Sequence, residues 1–163
     1  MSENTDLILD DFEAPQSFRP EYAGFWLRVA AYLIDGIAVT VVFYILMFIF
    51  MGSLLLNPDS VQDPEAMMAR IIPLYVIVIV GTWLYYALME SSEKQATLGK
   101  MAVGIKVTDM NGARISFGNA TGRFFGKILS GLILYVGFIM VAFTDKKQGL
   151  HDMMASTLVV LKR

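Results

Sequence analysis

The stretch Phe25-Trp-Leu-Arg-Val-Ala-Ala-Tyr-Leu-Ile-Asp-Gly-Ile-Ala-Val-Thr40 decides how the whole chain is read. It opens an apolar run that continues to Met51, yet it carries two ionisable side chains, Arg28 and Asp35. As a helix, a run of this length crosses the ~30 Å of hydrocarbon in a bilayer. A spacing of seven, at about 100° per residue, sets both side chains on nearly one face. A charge in hydrocarbon costs roughly 2.5–3.5 kcal/mol on insertion scales. Arg28 and Asp35 must therefore face protein or water. They stand about 10.5 Å apart along the helix axis, too far to pair with each other, so each needs a partner elsewhere.

Two further apolar blocks follow, Ile71–Met89 and Phe124–Phe143. They lift the chain to 56% hydrophobic residues, against about 45–50% in a soluble domain. The mean hydropathy is +0.57. A soluble bundle would give each helix a polar face, and Ile71–Met89 has almost none. The expected fold is an all-α integral membrane protein with two full transmembrane helices and a third hydrophobic segment. Before the first block, Met1–Gly24 carries six acids and a single base, Arg19. No basic region precedes that block, and it is too long for the core of a signal peptide, so a retained helix is expected. Met1–Glu21 reads as an acidic, largely disordered tail and Tyr22–Arg163 as the membrane domain. The chain has no cysteine, so thiol chemistry and disulfides are excluded.

Lys and Arg in short loops set orientation. Gly52–Arg70 has one base, Arg70, against Asp59, Asp63 and Glu65. Ser91–Arg123 has Lys94, Lys100, Lys106, Arg114 and Arg123, and the tail from Thr144 has Lys146, Lys147, Lys162 and Arg163. The first loop is expected outside, and the amino terminus and both later segments in the cytoplasm. One crossing by Phe124–Phe143 would put the basic tail outside. A helical hairpin bent near Tyr135-Val136-Gly137 resolves this conflict. A single span that breaks the charge rule remains the alternative. Gly126, Gly131 and Gly137, with Ser130, tolerate such a bend, though they also serve as helix-packing notches.

Ser91–Gly122 is too polar to span. Thr97–Gly104 reads as a short amphipathic helix on the membrane surface, with Thr97 near its N-cap. Asp109-Met-Asn-Gly112 between Val103–Thr108 and Ala113–Phe117 is a hairpin signal and predicts a small cytoplasmic β-ribbon. Such a ribbon is marginal unless it packs on something, and the apolar run Met153–Leu161 could be that partner, as a strand or a short helix. Gly99-Lys100 lacks the glycine spacing of a phosphate loop.

These residues resemble the RDD family of small bacterial membrane proteins, named for an arginine and two aspartates. Phe25-Trp26-Leu27-Arg28 and Ala31-Tyr32-Leu33-Ile34-Asp35 match its first motif. Glu90, Gln95, Thr97-Leu98-Gly99-Lys100, Gly104, Val107, Asp109 and Gly112 match the second, with Ala96 inserted. Arg123 opens the last segment, and Lys147-Gln148-Gly149-Leu150-His151-Asp152 closes the match, which covers Tyr22 to Val160. Asp152 is the better candidate for the second family aspartate, with Asp145 as the alternative. The resemblance implies a multi-pass protein of the bacterial inner membrane. Transport has been suggested for the family, and some members are described as sodium/proton antiporters. Others occur as domains beside unrelated modules.

A carboxylate held between burial, which favours its neutral form, and a nearby cation, which favours its charged form, suits proton or cation exchange. On that logic Asp35 would carry the ion and Arg28 and Asp152 would tune it. Glu90, Lys100, Arg123, Asp145 and His151 are the supporting candidates. A structural salt bridge from Asp35 to Arg123, Lys127 or the tail is the competing reading, as is Arg28 snorkelling to lipid phosphate. One expectation is a charged network of Arg28, Asp35, Glu90, Arg123 and Asp152 at the inner mouth. One histidine and no cysteine make a metal site unexpected. No nucleophile–base pair points to an enzyme. No cofactor and no nucleic-acid partner are expected. Tyr22, Trp26, Trp83, Tyr85 and Tyr86 read as interfacial anchors, and the eleven methionines as apolar fill. Two functions follow. One is a monovalent-cation/proton exchanger, needing a homo-oligomer to enclose a path. The other is a scaffold, assembly factor or sensor that binds lipid or a protein through Ser91–Arg123.

Overall fold

The computed structural model describes residues 20–56, 62–132 and 136–162. The acidic tail up to residue 19 and the centre of the expected hairpin bend, residues 133–135, lie outside them.

Helix α1 runs over Phe25–Leu56 and α2 over Pro64–Ser91. Both exceed the apolar blocks that predict them. Nothing between Gly52 and Leu56 breaks α1. The start of α2 is set well before Ile71 by Asp63, whose carboxylate accepts the Glu65 N–H at 2.9 Å, and by Pro64 in the first turn. At 32 and 28 residues, the two helices are about 48 and 42 Å long, and both are apolar enough to cross a membrane. Their apolar side chains point outward: Phe48 and Leu56 are each 82% exposed. Exposed apolar surface of that extent marks contact with a membrane or with other protein.

The other described elements form a cap at one end. Short helix α3 (Leu98–Ala102) starts at Thr97, which accepts the Lys100 N–H. Strand β1 (Ile105–Asp109) follows, then α4 (Phe117–Leu132), α5 (Val136–Ile139), a 3-10 turn at Met140–Ala142, α6 (Leu150–Met154) and β2 (Thr157–Leu161). The strands pair antiparallel, with Val107 opposite Val159. On the other edge of β2, Ala23 donates to the Val159 carbonyl at 2.9 Å and Leu161 donates to the Glu21 carbonyl at 2.8 Å. Val107 and Val159 join Ala23, Ala31, Ala87, Ile105, Ile115 and Ala120 in one buried core.

Two expectations need correction. The β-ribbon exists, but its second strand is Thr157–Leu161, not Ala113–Phe117. The Asp109 carboxylate accepts from the Asn111 and Ala113 N–H groups and closes the turn locally. Ser116 then accepts the Asn119 N–H at 3.1 Å and starts α4. Leu158, Val159 and Val160 are all buried, a run that fits between two neighbours. The second correction concerns α3, which does not float on a membrane surface. It is pressed against α1, with Gly99 and Lys100 buried. A Cβ on Gly99 would run into the Ala31 carbonyl oxygen.

The third apolar block is not one long helix. Gly137, in α5, sits against Ser130 of α4, so closely that a Cβ there would lie 2.7 Å from the Ser130 Cβ and 3.0 Å from that of Leu150. Helix α6 crosses α4 at Gly126, where a Cβ would lie 3.0 Å from that of His151. The block therefore folds back on itself. Helix α4 packs mainly on α2 and α6, and α1 mainly on α3, so the two long helices touch each other little.

Candidate functional site

Where the cap meets the long helices, charged side chains link into one buried chain. Arg28, one turn into α1, places Nη1 2.5 Å from Asp152 Oδ2. Its Nε donates to the Ala23 carbonyl at 3.1 Å, and its Nη2 donates to the Lys147 carbonyl at 2.5 Å. The Asp152 side chain is fully buried. Its Oδ2 also accepts the Gly149 N–H at 3.1 Å, and its Oδ1 lies 2.6 Å from Arg123 Nη1. Arg123 donates onward through Nε to Glu90 Oε2 at 2.9 Å, and through Nη1 to the Thr157 hydroxyl. Glu90, 1% exposed, meets two more cations at Oε1: Lys100 Nζ at 2.5 Å and Lys127 Nζ at 3.3 Å. Lys127 Nζ also lies 4.5 Å above the Tyr86 ring, a cation–π contact.

Asp35 is buried beside this chain but takes neutral partners. Thr97 donates its hydroxyl to Oδ2 at 2.6 Å. The Gly99 N–H and the Tyr85 hydroxyl donate to Oδ1, each at 2.7 Å. Among the described residues, the expected salt bridge from Asp35 to Arg123, Lys127 or the tail is not formed. Three hydrogen bonds from neutral donors take its place. The geometry accounts for three residues of the Thr97-Leu98-Gly99-Lys100 motif. Thr97 supplies a donor, Gly99 permits close approach to α1, and Lys100 reaches Glu90.

Burial and charge act differently on the groups of the cap. Burial lowers the Lys100 pKa to about 7, against the raising effect of Glu90. Burial also lowers His151 to about 3, opposed by Asp152. For Asp152, burial favours the neutral form, but Arg123 and Arg28 outweigh it and hold the carboxyl well below the usual range.

Arg28, Glu90, Arg123 and Asp152 thus form one network with Lys100 inside it, while Asp35, expected in the same network, is bound by neutral donors beside it. His151 is at its edge, its Nε2 3.4 Å from Asp152 Oδ1. Asp145 is exposed and stands apart. Thr157 carries no signal in the sequence, because nothing marks an apolar strand's first residue as a partner for arginine. Tyr85 and Tyr86 look like anchors in the sequence, and only the fold turns them toward the cluster.

The RDD family model matches residues 22–156. The chain is 45% identical over 148 residues to "Uncharacterized protein YxaI" of Bacillus subtilis (strain 168), covering 86% of this chain and 97% of that protein. It is 31% identical over 167 residues to "Uncharacterized membrane protein YteJ" of the same organism, covering 95% and 92%. No solved structure matches. With the family model matched over residues 22–156, most of its length, the chain belongs to the RDD family.

Proposed function

We propose that the protein is a non-transporting scaffold of the bacterial inner membrane. On this reading it crosses twice with its amino terminus in the cytoplasm, and the folded-back third segment enters the bilayer from the cytoplasmic side. The charged cluster is a lock that joins the cap to both spans. One observation supports this above the others: the ion pairs close on one another. Glu90 and Asp152 each meet at least two fixed cations. Carboxylates saturated in this way are poor carriers for a mobile ion.

A second reading, monovalent-cation/proton exchange in a homo-oligomer, draws support from Asp35. It is buried in a long apolar helix with no cation as a direct partner among the described residues. Proton flux in liposomes holding the purified protein tests the choice, driven in turn by sodium, lithium and potassium. No flux from folded wild-type protein is expected. A cation-dependent flux that Asp35→Asn abolishes, with the variant still folded, would replace the scaffold by the exchanger.

A further inference from the structure

Two adjoining cavities remain beside the lock. The first, about 320 Å³, lies where α1, α4 and the cap meet, and is lined by Arg28, Lys100, Arg123, Lys127 and His151. The second, about 420 Å³, lies between α1, α2 and α4, among Gly36, Thr82, Ile128 and Gly131. Tyr32, Tyr86, Lys127 and Phe138 line both. Together they make one largely apolar slot with basic side chains gathered along one end.

Four basic side chains, Arg28, Lys100, Arg123 and Lys127, gather at one end, and Lys127 holds the loosest ion pair among them, 3.3 Å from Glu90 Oε1. His151 Nδ1 is buried with no hydrogen-bond partner among the described residues. Of the four cations, Lys127 is the most open, its side chain 20% exposed. Arg28 lies near the start of α1, the depth at which lipid phosphates sit if that end is cytoplasmic.

We propose that this slot binds one anionic glycerophospholipid, with its phosphate at Lys127 and an acyl chain between the spans. The inference rests on the membrane-embedded reading above. The phosphate supplies Lys127 with a second negative partner and acceptor oxygens. The acyl chain fills the gap that the two poorly touching long helices leave between them. A free phosphate would pair with Lys127 but leave the apolar end empty.

The test uses the full chain in a maltoside detergent, titrated separately with phosphatidylglycerol, phosphatidylcholine and inorganic phosphate. Native mass spectrometry and thermal unfolding follow the binding. One retained phosphatidylglycerol per chain is expected, with a raised Tm. Retention should weaken about fivefold or more in Lys127→Gln, the factor for one cation at an anionic headgroup. It should recover in Lys127→Arg and stay unchanged in Lys94→Gln, a lysine that is exposed outside the slot. Gly36 has open space where a Cβ would go, so Gly36→Leu should fold and evict the lipid from the apolar end. The same raised Tm from inorganic phosphate alone would assign the site to a free anion and overturn the proposal. Equal retention of both lipids, or phosphatidylglycerol held undiminished by Lys127→Gln and Gly36→Leu, would overturn it too. Cation-driven flux with the lipid still retained would remove the scaffold reading and leave this site standing. No flux and no retained lipid would do the reverse.

Discussion

Arg28 and Asp152 are 124 positions apart in the chain and 2.5 Å apart in space. Their bond ties the first turn of α1 to the last helix of the cap. Removing one partner of a buried pair costs about 3–5 kcal/mol, because the other charge is left without compensation. Asp152→Asn strands two arginines and should lower stability by at least that much. Arg28→Gln leaves Asp152 with Arg123 and should cost less. Thermal unfolding in detergent checks this order, and equal Tm losses would refute it.

Gly99 gives a steric prediction. Gly99→Ala should push α3 off α1 and break the hydrogen bonds to Asp35, with a loss of several kcal/mol, on the order of overpacking a tight interior. Gly118, in the first turn of α4, is different: a methyl group added there would lie 3.7 Å from its nearest neighbour, the Ser116 hydroxyl. Gly118→Ala should be neutral or gain about 0.5–1 kcal/mol. Protease resistance of the cap separates the two variants.

Asp35 accepts from three neutral donors. Thr97→Val and Tyr85→Phe should each cost about 1.5–3 kcal/mol, the range for a hydrogen bond to a charged group. Asp35→Asn should cost more than either, because its amide turns a donor toward donors. Chemical denaturation of the three variants side by side tests the ranking.

The cap sets the acid stability. His151 is lowered from 6.5 to about 3 in the fold, so between those values the unfolded chain binds more protons and stability falls as pH drops. Asp152 is lowered too, and its contribution disappears as pH falls below its ordinary value of 3.8. A decline of up to about 1.4 kcal/mol per pH unit should therefore begin near pH 6.5. His151→Gln should delay that onset to near pH 4. Lys100, lowered from 10.5 to about 7, acts at the other end, where stability should rise between those values as pH increases. Tm profiles against pH report all three.

The charged residues of the cluster were legible in the sequence because each stands out against apolar neighbours. Arg28, Glu90 and Arg123 border or interrupt long hydrophobic runs, where an unpaired charge is not tolerated. Which carboxylate meets which cation was not legible. That pairing depends on α6 crossing α4 at Gly126, a distance no local pattern encodes. The Asn111-Gly112 signal locates a turn correctly but points to the wrong partner strand. Strand β2, buried between β1 and the residues before α1, outcompetes the nearer segment by burying more apolar surface.

The position of β2 between the two ends of the domain also fixes an order of events during synthesis. Arg28 leaves the ribosome on the order of ten seconds before Asp152, at 5–20 residues per second. During that interval the first span holds an unmatched guanidinium, and Ala23 and Glu21 have no strand to join. The domain can therefore lock only when its last-made segment arrives. A chain stalled short of that point leaves Arg28 without its carboxylate partner.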